Sequence, residues 1–302
     1  MGLFFSSDRF TRPGPGVRPD APRKKGIARL AEIMGRDMWN FFRAGFLAFL
    51  GCLPFIIGMF FAVETHALLF MLLAGIIGGL IAGPELSAMA DTVLRSLRDE
   101  PGYWWETYRR VWKRNARESL VPGMLTGLVL SMQIFTLFHM SVISAGIVTW
   151  VLLILSFVVT LGLESYIWPQ IALLDLPLYG ILKNSLLLFL GYLPRSLGAI
   201  AIKAVYWGAI LLFFPLTTII LPFTNFWLPM LPALLCIYQP LNKCFTIEST
   251  INKMREDELN AALAKDNEPL PEDPTEKAEE STEASSDDSS SCLLYTSPSP
   301  RD

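Results

Sequence analysis

The chain has 302 residues, 52% of them hydrophobic and only 18% charged, against about 25% charged in typical soluble domains. That balance excludes an ordinary soluble domain and points to a membrane protein. The formal net charge of −3 hides an asymmetry: residues 256–291 carry thirteen acids and two bases, a net −11, which leaves +8 on the remainder.

Residues 1–43 form a basic arm with nine Lys and Arg. It has no apolar core ahead of a small-residue cleavage site, so the first span is expected to serve as its own insertion signal. The Pro13-Gly14-Pro15-Gly16-Val17 run is too rich in Pro and Gly for a helix. From Ile27 onward, Ile27, Leu30, Met34, Met38 and Phe41 share one helical face, with Arg29, Glu32 and Arg36 off it. This suits an amphipathic helix in the membrane interface, or equally one packed on protein.

Six apolar stretches follow, at 44–63, 67–90, 119–140, 141–163, 196–221 and 224–245. Crossing about 30 Å of hydrocarbon takes about 20 residues of helix. No ten-residue alternation of the kind barrel strands need is visible. Lys and Arg crowd the arm and 91–118, and recur at Lys183, Arg195, Lys243, Lys253 and Arg255. The intervening connections, near His66, His139 and Pro222 to Asn225, have none. Positive residues concentrate on the cytoplasmic side. The expectation is an all-α, polytopic membrane protein: a bundle of about six transmembrane helices over 44–246, with both termini cytoplasmic.

Connection 91–118 reads as a helical hairpin turned at Pro101-Gly102. Trp104, Trp105, Tyr108 and Trp112 cluster on one face of its second helix, with Arg109, Arg110, Lys113, Arg114 and Arg117 around them. Aromatic and basic residues together suggest headgroup contact, with a docking surface for a protein partner second and nucleic acid disfavoured. Residues 247–291 form an acidic tail. A short surface helix is expected over 246–264, and beyond Lys265 a disordered stretch too poor in apolar residues to build a core. Residues 292–302 break with that composition and resemble the conceptual translation of a sequencing adaptor.

Few residues offer chemistry. Gly75, Gly79 and Gly83 repeat at four-residue spacing, which lets helices approach closely; intramolecular packing is the plain reading and a homodimer seam the sharper one. Gly83-Pro84 is expected to break the second helix, because proline removes a backbone donor. Glu85, Glu164 and Lys203 could form an intramembrane polar cluster, charge there being costly, although Lys203 could instead reach the interface. The four cysteines show no metal or disulfide spacing, and only two histidines are present. No phosphate-binding loop, zinc-protease motif or nucleophile elbow occurs. No cofactor, metal or catalytic residue is therefore expected.

Several of these residues, taken in order, resemble the YesL family of bacterial integral membrane proteins. They are Pro13-Gly14-Pro15-Gly16-Val17, Leu53-Pro54, Gly83-Pro84, Trp112-Lys113-Arg114-Asn115, Leu193-Pro194-Arg195, and Leu231-Pro232 with Tyr238 and Pro240. The resemblance covers about residues 1–250. It implies a bacterial plasma-membrane protein of unassigned activity, in a family often encoded beside sugar-binding transporters. From it follows the expectation of a non-catalytic accessory role in carbohydrate uptake, docking on transporter subunits through 91–118. A small transporter or channel built on Glu85, Glu164 and Lys203 is the alternative.

Overall fold

A single 40-residue helix carries the chain from its basic arm into the apolar region. The computed structural model describes residues 23–100, 102–140, 146–174 and 176–266, and the regular elements among them are all helical. Helix α1 (Gly26–Thr65) fuses the amphipathic segment and the first span, which were expected as separate pieces. Nothing between Ile27 and Thr65 stops it, since Pro54 interrupts one hydrogen bond in a rod about 60 Å long. Residues 1–22 of the arm lie outside the described residues.

The second span is α2 (Leu68–Leu73), a π-helical turn (Ala74–Gly78) and α3 (Gly79–Arg98). The break expected at Gly83-Pro84 is absent, and α3 runs through both residues. Pro84 withholds one donor, but close packing against the next helix holds the turn together. The irregularity sits earlier, at the π turn. Helix α4 (Trp104–Phe138) is likewise continuous, joining the aromatic-basic segment to the third span.

Helix α5 (Ile147–Leu173) runs past the expected end at 163, and α6 (Leu178–Gly191) is a short apolar helix where a connection was expected. Helix α7 (Leu193–Leu212) stops short of 221, because Pro215 disfavours helical geometry in the residue before it. The chain then folds back through α8 (Thr217–Thr224). Tyr206 and Thr224 share a hydrogen bond of 2.9 Å, and the rings of Phe42 and Phe223 stack at 6.0 Å. Helix α9 (Trp227–Phe245) completes the bundle. Asn225, read from sequence as part of a connection, is wholly buried.

Among the described residues, five segments are long and apolar enough to cross a membrane: Gly26–Thr65, Leu68–Arg98, Trp104–Phe138, Ile147–Leu173 and Leu193–Leu212. Helix α9, read from sequence as the sixth, is diluted by Pro229, Pro232, Gln239, Pro240, Asn242 and Lys243. Helix α10 (Ile247–Asp266) takes the place of the expected surface helix, so the first part of the acidic tail is helical. By contacts, residues 249 onward form a unit distinct from the body before them. Residues 267–302, with the rest of the tail and the adaptor-like end, lie outside the described residues.

Glycine decides how the first helices meet. A Cβ on Gly83 would stand 2.5 Å from the Ser119 carbonyl oxygen, and one on Gly75 2.5 Å from the Ser131 hydroxyl. Gly79 faces the Gly123 backbone in the same way, so Gly75, Gly79 and Gly83 are the seam between α2–α3 and α4, inside the chain. Gly51 and Gly58 of α1 admit Glu85 and Ala74. Polar side chains fasten the later helices: Gln133 to Thr160 at 2.8 Å, Gln170 to Ser185 at 2.8 Å, and Tyr166 to Ser196 at 2.8 Å. Lipid supplies no hydrophobic drive between helices, so small residues and such bonds carry their association.

Candidate functional site

Where α1, α3, α4, α5 and α7 diverge around the packed seam they leave a cavity of about 410 Å³, closed on the remaining side by α8 and the start of α9. That falls in the range of about 300–1,000 Å³ typical of small-molecule sites. Its wall is mostly apolar, with Phe49, Phe55, Phe157, Trp207 and Phe226 prominent. The only charged side chains on it are Glu164 of α5 and Lys203 of α7.

Lys203 is 8% exposed and makes no hydrogen bond or ion pair among the described residues. Glu164 lies on the wall of the same cavity. An ammonium taken out of water without a partner is costly, and here it has an opposing charge but no bond. Trp168, on the same wall, holds its indole N–H buried without an acceptor. The arrangement can receive a molecule with a largely apolar body and a polar head that bridges an acid and a base.

Of the expected cluster, Glu164 and Lys203 are therefore brought together, and Glu85 is not on the cavity wall. Its carboxylate accepts from the Tyr108 hydroxyl at 2.6 Å and from the Trp112 indole N–H at 2.9 Å. Glu85 thus ties α3 to the aromatic face of α4. Cys52 of α1 also lines the cavity. That a cysteine would share this wall had no signal in the sequence.

The aromatic-basic set of α4 divides in two. Trp104 turns inward under Arg43, whose guanidinium lies 5.0 Å from the Trp39 ring and 5.7 Å from that of Trp104. Trp112, whose indole N–H is bound to Glu85, remains exposed. Trp105, Arg109, Arg110 and Lys113 face outward, and of these Arg110 pairs with Glu106 at 3.1 Å.

The arginines before the first span build a feature that sequence reasoning missed. Helix α3 ends with Asp99 in the left-handed conformation, φ 60°, and the Glu100 N–H returns to the Arg95 carbonyl. That is the closing geometry of many helix ends. Its last carbonyls are each taken by a different arginine: Ser96 by Arg36 at 2.8 Å, Leu97 by Arg29 at 3.1 Å, and Arg98 by Arg23 at 3.2 Å. All three cations also bind the Asp99 carboxylate, Arg29 at 2.7 Å and Arg23 at 3.1 Å. Burial alone would raise the Asp99 carboxyl, but its bonds to Arg36 and Arg29 outweigh that and hold it below the usual range. The seven-residue spacing of Arg29 and Arg36 was the available clue, since it places both on one side of α1.

At the opposite end His66 and His139 hydrogen-bond to each other. No group of three or more His, Cys, Asp or Glu able to hold a metal occurs among the described residues. Compared with protein-family models, curated proteins and solved structures, the chain matches none.

Proposed function

We propose that the protein is a non-catalytic, multi-pass membrane protein that binds, and as a carrier moves, a small amphipathic molecule through the cavity between Glu164 and Lys203. The observation that carries this reading is Lys203, nearly buried and without a bonding partner among the described residues, sharing the wall of an otherwise apolar chamber with Glu164. Intramembrane charges of this kind mark substrate pathways more often than scaffolding. Six crossings with both termini cytoplasmic are part of the proposal, supported by the alternation of Lys- and Arg-rich connections with connections that have none. In that arrangement α9 makes the sixth crossing, and the YesL resemblance would place the chain in a bacterial plasma membrane.

The test is to purify the protein in mild detergent, extract what it retains, and compare the extract by mass spectrometry with that of Glu164→Gln/Lys203→Met. A small amphipathic species enriched in the wild type and lost from the variant is expected. Identical extracts would sink the carrier reading.

An accessory role beside a carbohydrate transporter is the second reading. It is favoured by the outward row of Trp105, Arg109 and Lys113, none of which forms an ion pair among the described residues. Cross-linking in native membranes should then recover transporter subunits, and reversal of Arg109 and Arg110 should lose them.

A further inference from the structure

A second recess lies away from the cavity, where the corner between α6 and α7 meets the end of α9. It encloses about 330 Å³ and is lined by Tyr192, Arg195, Gln239 and Lys243, with Gly191, Pro194 and Pro240 completing its wall. Both charged groups are cations. The contrast with the arginines around Asp99 is direct. Arg23, Arg29, Arg36, Arg95 and Arg98 are each matched to an acid. Among the described residues neither the Arg195 nor the Lys243 side chain has an ion pair or a hydrogen bond. Glu248, the next acid along the chain, is already held by Arg23 and Tyr238. The recess therefore presents two uncompensated positive charges, a phenol and an amide, a set suited to phosphate oxygens.

What flanks the recess distinguishes a lipid from a soluble anion. Leu187 and Leu190 of α6 and Leu193 and Leu197 of α7 are 59%, 59%, 41% and 46% exposed. A basic recess bordered by outward-facing leucines on apolar helices accommodates a charged head in the recess and acyl chains along the leucines. Basic pockets between transmembrane helices bind anionic headgroups for this reason.

We propose that the recess formed by Tyr192, Arg195, Gln239 and Lys243 is a binding site for the phosphate-bearing headgroup of an anionic phospholipid. Arg195 offers paired donors to two phosphate oxygens, and Lys243 adds a point charge. The site does not depend on what the intramembrane cavity carries.

The test uses the full chain in detergent, read by native mass spectrometry. Dioleoyl phosphatidylglycerol, dioleoyl phosphatidylcholine and inorganic phosphate are titrated separately. The wild type should retain phosphatidylglycerol, and Arg195→Gln/Lys243→Gln should bind it about tenfold more weakly or worse. Lys24→Gln/Lys25→Gln, which removes as much charge from exposed positions just before α1, should leave that affinity unchanged. Unaltered phosphatidylcholine binding reports that the variants are folded. Equal affinity in wild type and the Arg195/Lys243 variant would overturn the site. Equal loss in the Lys24/Lys25 variant would reduce the effect to general charge and overturn it too. Displacement of phosphatidylglycerol by inorganic phosphate would assign the recess to a free anion instead of a lipid.

Discussion

The two histidines of this chain bond to each other across 73 positions of sequence. His66, in the left-handed residue that ends α1, lies with Nδ1 2.6 Å from Nε2 of His139, at the end of α4. His139 lies with Nδ1 2.8 Å from the Phe135 carbonyl, and its ring stacks on that of Phe135 at 4.0 Å. A carbonyl only accepts, so Nδ1 of His139 carries the proton and its Nε2 is left to accept from His66. The pair joins the two helix ends through one shared proton.

The coupling is measurable. His66→Phe, His139→Phe and the double variant, compared by denaturant unfolding in detergent, should show an interaction of about 1 kcal/mol. Additive single effects at neutral pH would mean that the contact contributes nothing.

Glycines on the seam and glycines in the open should respond with opposite sign. Gly83→Ala pushes a methyl onto the Ser119 carbonyl, which is backbone and cannot swing away. It should destabilise the protein by about 1–3 kcal/mol. Gly208→Ala on α7 meets nothing within 4 Å and should stabilise by up to about 1 kcal/mol, because alanine favours helix more than glycine does. Thermal unfolding of the two variants, side by side, checks the seam.

Asp99 makes stability depend on pH. Its carboxyl is held below the usual value in the folded state by Arg36 and Arg29, against the opposing effect of burial. A depressed acid contributes stability that is fully present above its unfolded pKa, about 4, and is lost as pH falls through the folded value. The melting temperature of the wild type should therefore drop on acidification below about pH 4. Asp99→Asn should start lower and show a shallower drop, and an equally steep one would contradict the role given to Asp99.

Removing one cavity charge should cost more than removing both. Lys203→Met leaves the Glu164 carboxylate in the chamber without a counter-charge, whereas Lys203→Met/Glu164→Gln leaves no net charge there. The double variant should be the more stable by about 1 kcal/mol or more in thermal unfolding. A double variant less stable than Lys203→Met would show that Glu164 supports the fold without reference to Lys203.

The sequence alone determined the class of the protein, because crossing a bilayer demands long apolar helices whatever their neighbours do. The runs at 44–63, 67–90 and 119–140, and the described part of 141–163, lie almost wholly on long apolar helices of the structure. The glycine spacing at Gly75, Gly79 and Gly83 likewise marked a packing face. Tertiary structure decided the rest. Local rules made Pro84 a break, but α4 pressed against Gly79 and Gly83 holds α3 together through it. Local spacing grouped Trp104 and Trp112 on one face, but that Arg43 and Glu85 of other helices would contact them was not encoded there. Glu164 and Lys203 share a cavity while Glu85 is spoken for by Tyr108 and Trp112, and no periodicity along one helix encodes that. Which charges meet depends on how helices rotate and tilt against one another, and that is settled by side-chain contacts between segments far apart in the chain.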